Sequence, residues 1–159
     1  MNKRAVIKKI VEQLQSELEV YFRAAQFSRA EATHEQSKAE SKYDTRGLEA
    51  SYLARGQSKQ AAEIEAAIVE FGKLAAGKLT VNGSIDIGSL VELETSGESS
   101  FYFVGPRAGG TEVIHDRKEI LVITPQSPLG AQLVGKKTGD TPQLTLGGET
   151  RATRIVKVE

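Results

Sequence analysis

Proline and glycine are distributed unevenly along this chain. All four prolines lie in the second half, and only four of the 15 glycines precede residue 78. Proline breaks helices and glycine weakens them, so a long stretch without the first and poor in the second favours helix. The first half is therefore predicted to be helical, and the second half to be built from shorter elements separated by turns.

Apolar residues in the first half recur at steps of three and four in two separate stretches. The first stretch consists of Ile7, Ile10, Val11, Leu14, Leu18, Tyr21 and Ala25. The second consists of Leu53, Ala61 (or its neighbour Gln60), Ile64, Ile68, Phe71 and Ala75. Each forms the apolar stripe of an amphipathic helix, which must be buried against a partner. A polar region from about residue 28 to residue 47 joins them, so residues 1–77 are predicted to form an antiparallel helical hairpin, a coiled coil. Helices of about 35 residues would each be about 50 Å long.

From residue 78 the pattern changes to short runs rich in β-branched and aromatic residues. The predicted strands are residues 79–81, 89–94, 101–104, 120–123, 143–146 and 152–158. Ser127, Pro128 and Gly135 have the spacing of an N-cap, a first helical residue and a closing glycine, which predicts one short helix. Residues 78–159 are therefore predicted to form an antiparallel sheet packed on one helix, and the whole chain is predicted to be α+β.

Composition excludes several classes of protein and of site. The chain has no cysteine, which removes disulfides and thiolate metal sites and fits a reducing compartment, so we expect a cytoplasmic protein. Lysine plus arginine equals aspartate plus glutamate at 21 each, so overall attraction to nucleic acid or anionic lipid is not expected. The longest runs of large apolar residues, such as residues 120–123, are far too short for a membrane span, and no membrane partner is expected.

Two patterns resemble chemical motifs but have simpler interpretations. The run from Gly130 to Lys137 nearly matches the phosphate-binding P-loop, yet Lys137 has no hydroxyl for magnesium and the run begins inside the predicted helix. The histidines, His34 and His115, are far apart and have no second ligand at metal-binding spacing. A nucleotide site and a zinc site are therefore not expected.

The junction between the two predicted helices carries closely spaced acidic side chains. Glu40 and Asp44 would share a helical face, and Gly47 would allow a turn that brings Glu49 near Asp44. Two neighbouring carboxylates can position a divalent metal and its water, although an exposed pair has too few ligands to hold Mg²⁺ alone. A solvated helix end with alternating charges is the simpler interpretation.

Three segments of the second half form a specific pattern: residues 87–94 (IGSLVELE), residues 101–106 (FYFVGP) and, most specifically, residues 127–140 (SPLGAQLVGKKTGD). In these segments the second half resembles the carboxy-terminal domain of the bacterial GreA/GreB transcription factors. The resemblance implies an FKBP-like carboxy-terminal domain, residues 78–159, that docks on RNA polymerase. It also implies that the hairpin, residues 1–77, enters the polymerase secondary channel toward the catalytic magnesium.

Family resemblance also implies roles for particular residues. In the family, a Ser-Pro turn and the Asp or Asn before it help to hold the polymerase. Here Ser127 and Pro128 match this pattern, whereas Gln126 stands in the preceding place. Asp44 and Glu49, with Glu40 as a third candidate, are the acids expected to assist a metal that the polymerase holds. The protein would thus bind no cofactor tightly, since RNA polymerase supplies the Mg²⁺, and would meet nucleic acid only through the elongation complex. It would be an accessory factor and not an enzyme by itself.

The junction departs from the D-x-x-E pattern of family members that stimulate RNA cleavage. If Ala50-Ser51-Tyr52 is aligned with the family's A-[ED]-Y sequence, Thr45 and Leu48 occupy the acidic positions. A secondary-channel regulator that retunes or inhibits polymerase without promoting cleavage is therefore an alternative. A prolyl isomerase and a coiled-coil homodimer are two further alternatives; few aromatic residues argue against the isomerase, and the near-neutral hairpin permits the dimer.

Overall fold

The computed structural model describes residues 1–33, 46–79 and 82–159. Three helices are present in these ranges: α1 (Lys3–Thr33), α2 (Arg46–Ala76) and α3 (Pro128–Leu133). Six strands accompany them: β1 (Leu90–Thr95), β2 (Glu98–Val104), β3 (Glu112–His115), β4 (Lys118–Ile123), β5 (Gln143–Leu146) and β6 (Glu149–Val158). The predicted α+β fold, with a helical pair before a sheet and one short helix, is confirmed.

Burial along α1 and α2 follows the periodicity of the sequence. Ile7, Ile10 and Leu14 are buried in α1, and Ala61 and Phe71 are buried in α2. Each helix has 31 residues, and the two are separated by residues 34–45, which lie outside the described ranges. None of the described helices is long and apolar enough to cross a membrane.

Strand pairing departs in one place from the antiparallel sheet that the sequence predicts. The strand order is β3-β4-β2-β1-β6-β5, and in this described sheet every pair is antiparallel except β2 with β4. That pair is parallel, with Phe101 opposite Ile120 and Val104 opposite Ile123. The parallel direction arises because β3 lies between β2 and β4 in the chain. β3 runs opposite to β2, so β4 begins at the same edge of the sheet as β2. Of the predicted strand 79–81, residues 80 and 81 lie outside the described ranges.

One face of the sheet forms the core with α3. Alternate residues of the strands supply it, because successive side chains of a strand point to opposite faces. Val91, Leu93 and Ile155 from the strands are buried in one cluster with Leu129 and Leu133 of α3. This packing holds α3 and the turn that precedes it against the sheet.

The other face of β2 contacts the end of α2. The rings of Phe71 and Phe103 have centroids 6.2 Å apart and both are fully buried. Lys9 of α1 reaches β3 at the edge of the sheet, where its Nζ donates to the carbonyl oxygen of Ile114 at 2.7 Å. Both contacts belong to one compact unit, made of residues 1–13 and 67–159; residues 14–66 form a second unit.

Candidate docking site

The turn after β4 contains Gln126, Ser127 and Pro128, the residues implied to hold the polymerase. It is organised by the hydroxyl of Ser127, which donates to the carbonyl oxygen of Thr124 at 2.7 Å and accepts from the amide of Gly130 at 3.1 Å. The amide of Ser127 also donates to the carbonyl oxygen of Thr124, at 3.0 Å. Ser127 is thus the N-cap of α3 and Pro128 its first residue, as the sequence predicted.

Gly130 allows α3 to lie directly against the end of β4. A Cβ atom at this position would be 1.8 Å from the carbonyl oxygen of Thr124 and 2.8 Å from the hydroxyl oxygen of Ser127. Contacts this short are not tolerated, and the backbone oxygen cannot rotate away as a flexible side chain would. The shape of the turn therefore depends on the absence of a side chain at residue 130.

Gln132 connects the other side of the turn to β5. Its Nε2 donates to the carbonyl oxygens of Pro128 at 2.8 Å and Thr145 at 3.2 Å, and its Oε1 accepts from the amide of Thr145 at 2.8 Å. The side chain thus replaces the strand partner that β5 lacks on this side, since β5 is at the edge of the sheet. It ties the first residue of α3 to a fixed element.

The exposed residues of the turn are a glutamine and a proline. Gln126 and Pro128 are exposed, whereas Leu129 and Gly130, which follow them, are buried. An exposed proline ring offers a rigid apolar surface, and the glutamine amide offers both donors and acceptors. Residues 124–135 contain no acid, base or histidine that could transfer a proton. The turn therefore presents an apolar ring and a polar amide on a fixed backbone.

A second loop lies beside this turn because β2 and β4 are parallel. Both strands end at the same edge of the sheet, and the amide of Gly105, directly after β2, donates to the carbonyl oxygen of Ile123 at 2.8 Å. Residues 105–110 then return to β4, where the amide of Gly110 donates to the carbonyl oxygen of Val122 at 2.8 Å. The sequence by itself indicates only a hairpin connection for this loop. The loop lies beside the turn because of the parallel pairing of β2 and β4, for which the sequence contains no local signal.

The lysine-rich segment after α3 holds the fold together and forms no phosphate loop. The carboxylate of Asp140 accepts from the amide of Lys137 at 2.8 Å, and the hydroxyl of Thr138 accepts from the amide of Val158 at 3.0 Å. The amide of Gly139 donates to the carbonyl oxygen of Ile155 at 2.8 Å. The first bond closes a turn within the segment, and the bonds of Thr138 and Gly139 join the segment to β6. Much of the SPLGAQLVGKKTGD pattern is therefore explained by turn and pairing requirements.

The acidic side chains of the predicted junction between the helices lie outside the described residues. Glu40 and Asp44 lie outside the described residues, and Glu49 belongs to α2 but its side chain also lies outside them. His34 lies outside them too, while the Nε2 of His115 is 3.3 Å from the carboxylate of its neighbour Asp116. In the described part of the chain, no three histidine, cysteine, aspartate or glutamate side chains form a cluster able to hold a metal.

Comparison with known proteins identifies the second half of the chain. The family model for the carboxy-terminal domain of the GreA/GreB transcription elongation factors matches residues 80–159, which include the whole sheet, α3 and the docking turn. No curated protein matches the chain.

Solved structures related to this chain include two GreA homologues from Thermus. The GreA factor homolog 1 (Gfh1) of Thermus thermophilus has 26% identity, a TM-score of 0.38 and coverage of 94% of both chains. Gfh1 of Thermus aquaticus has 26% identity and a TM-score of 0.40, with 95% of this chain and 94% of that chain covered. Since the family model spans half of the sequence and contains every strand of the described residues, this chain belongs to the GreA/GreB family of transcription elongation factors.

Proposed function

We propose that this protein binds RNA polymerase through the turn formed by Gln126, Ser127 and Pro128. The observation that carries the proposal is the structure of this turn within the family's carboxy-terminal domain. The hydroxyl of Ser127, the close approach at Gly130 and the bridge from Gln132 hold the backbone that presents the exposed Gln126 and Pro128. A contact surface that is ordered before binding loses little conformational freedom on binding, which favours affinity.

The helical pair would act at the polymerase's own reaction centre. As family membership implies, α1 and α2 would enter the secondary channel, and the protein would contribute no bound cofactor of its own. Asp44 and Glu49, assisted by Glu40, would orient water near the magnesium that the polymerase holds, and so promote cleavage of backtracked RNA. The gain in rate would be positional and electrostatic, as for other carboxylates that act on a metal-bound water.

A second candidate function is regulation of the polymerase without RNA cleavage. The sequence favours it at the junction, where the alignment set by Ala50 and Tyr52 places Thr45 and Leu48 at the acidic positions. Neither threonine nor leucine supplies a carboxylate to a metal. In this case the protein would bind the same site and change access to the channel.

A binding experiment followed by a cleavage assay tests both candidates. Purified bacterial RNA polymerase is titrated with the labelled protein, and stalled, backtracked elongation complexes are then tested for RNA cleavage. Gln126→Ala and Pro128→Ala should weaken binding, whereas Gln143→Ala, an exposed glutamine of β5, should not. No binding by the unmodified chain would overturn the proposal.

Variants of the acids separate the two functions once binding is established. If the protein promotes cleavage, Asp44→Asn and Glu49→Gln should abolish cleavage while binding persists. If cleavage by the polymerase is never stimulated and the same variants still alter elongation, the regulator is correct and the cleavage function is wrong.

A further inference from the structure

Arg107 is the only charged residue in two neighbouring segments: the loop after β2, and the segment after β4 that contains the docking turn and α3. Residues 105–111 and 124–135 contain no other lysine, arginine, aspartate or glutamate. Arg107 belongs to the first of these segments, and Gln126, Ser127 and Pro128 belong to the second. A charge-dependent contact made by the side chains of these two segments must therefore involve Arg107.

The loop that carries Arg107 lies directly against the turn. A Cβ atom at Gly109 would be 3.4 Å from Cγ2 of Thr124, whose carbonyl oxygen accepts the hydroxyl of Ser127. The loop is fixed at both ends by the bonds from Gly105 and Gly110 to β4, and the amide of Thr111 donates to the carbonyl oxygen of Ala108 at 3.2 Å. Arg107 thus stands on a backbone that is held next to the docking residues.

The guanidinium of Arg107 is oriented by an acid of α2 but keeps donors for a partner. Its Nε donates to Oε1 of Glu70 at 3.0 Å, and the side chain of Arg107 remains 51% exposed. A guanidinium has five N–H donors, and this bond uses one of them. Its two outer amino groups have the geometry that binds a carboxylate with paired hydrogen bonds.

We infer that Arg107 contacts a carboxylate of the polymerase and extends the docking surface formed by Gln126, Ser127 and Pro128. The inference rests on the proposed binding of RNA polymerase and names the chemistry of the surface that is bound, an acidic segment. Arg107 is the one charged residue of residues 105–111 and 124–135, so the group that complements it on the partner is an acid. Glu70 is a contact within the protein and supplies no part of the partner surface.

Substitutions of Arg107 and of Glu70 distinguish a contact with the polymerase from an ion pair that acts only within the protein. Arg107→Gln should weaken binding to purified RNA polymerase by about ten-fold at low salt, as for a charge at a binding interface. The loss should shrink as potassium chloride is raised, because salt screens exposed charges. Glu70→Gln, whose amide oxygen still accepts from Nε, should bind as tightly as the unmodified chain. Arg107→Lys keeps the charge but not the paired geometry, and should lie between the two.

Arg151 provides a matched control on the β5–β6 pair. It is 55% exposed and also pairs with a glutamate, Glu149, so Arg151→Gln changes the same charge in a similar setting. Its affinity for polymerase should equal that of the unmodified chain. Thermal unfolding of every variant checks that the fold is retained.

Three results would overturn the inference in distinguishable ways. Unchanged affinity of Arg107→Gln, while Gln126→Ala or Pro128→Ala binds more weakly, removes the role of Arg107 and keeps the proposed function. Equal losses for Arg107→Gln and Glu70→Gln show that the ion pair acts only within the protein. Failure of the unmodified chain to bind polymerase overturns the proposed function and this inference together.

Discussion

The carbonyl oxygen of Thr124 occupies the space that a side chain at Gly130 would need. Because a Cβ atom at Gly130 would lie only 1.8 Å from that oxygen, α3 and the end of β4 have to move apart in Gly130→Ala. We expect the free energy of unfolding to fall by about 3 kcal/mol or more, as for severe overpacking. Urea unfolding measures the change.

Gly72 is the control for this substitution. It lies inside α2, and a Cβ atom added there would have no neighbour within 4 Å, so Gly72→Ala should stabilise the protein by about 0.5–1 kcal/mol. If Gly130→Ala were as stable as Gly72→Ala, the close approach of Thr124 would be wrong.

Gly105 and Phe71 should be energetically coupled. A Cβ atom at Gly105 would be 2.6 Å from Cζ of Phe71, so Gly105→Ala should cost about 2–3 kcal/mol. Phe71→Leu removes this ring atom, and the double variant should be more stable than the sum of the single changes predicts, by about 1 kcal/mol. The contacts to Arg107 and Val122, each at 3.1 Å, limit the rescue. A double-mutant cycle measured by urea unfolding makes the comparison, and strict additivity would contradict the predicted contact.

Gln132 should protect the amide of Thr145 from exchange with water. Gln132→Leu keeps the approximate size of the side chain but leaves that amide and two carbonyl oxygens without this partner. We expect a loss of about 1–2 kcal/mol and faster hydrogen exchange at Thr145. Gln143→Leu, an exposed position on the same strand, should change stability by less than about 0.5 kcal/mol. Unchanged exchange at Thr145 in Gln132→Leu would show that the bridge is not formed in solution.

Glu159 should make stability depend on pH in the acidic range. Burial acts to raise the pKa of its side chain, but hydrogen bonds from Lys157 and from the amino group of Met1 outweigh burial and lower the pKa below its ordinary value of 4.5. A carboxylate with a lowered pKa stabilises the fold above the unfolded value, and this stability is lost as pH falls through the folded one.

The comparison with Glu159→Gln measures this contribution. At neutral pH the variant should be less stable by about 1 kcal/mol or less, because the pair is partly exposed. The difference should vanish at acidic pH, below 4.5. Glu98→Gln, an exposed acid at the start of β2, is the control. A difference between Glu159→Gln and the unmodified chain that is constant down to about pH 2 would contradict the prediction.

Elements with strong local signals could be predicted from the sequence. The stripe through Ile7, Ile10 and Leu14 and the cap formed by Ser127 and Pro128 are visible as spacing and residue type, and the structure confirms them. The local conformation of the turn around Ser127 could be predicted for the same reason. The dependence of the turn on Gly130 could not be predicted. The carbonyl oxygen of Thr124 becomes a neighbour of Gly130 only when α3 packs.

β3 is absent from the predicted strands because its turn lacks the residues that normally mark one. Asp116 and Arg117 both have positive φ, at 51° and 62°, in a two-residue turn of the kind that usually contains glycine. Without that signal, residues 112–115 do not stand out as a strand. The parallel pairing of β2 and β4 is hidden with it, since pairing direction follows from the path of the chain between the two strands.

Lys9 has a consequence for self-association. β3 is an outermost strand, and such strands tend to recruit strands of other molecules through their unpaired backbone groups. Here the ammonium group already occupies the carbonyl of Ile114, so an incoming strand would have to displace a hydrated cation before it could pair. A single lysine of α1 therefore opposes the addition of a strand at this carbonyl of β3.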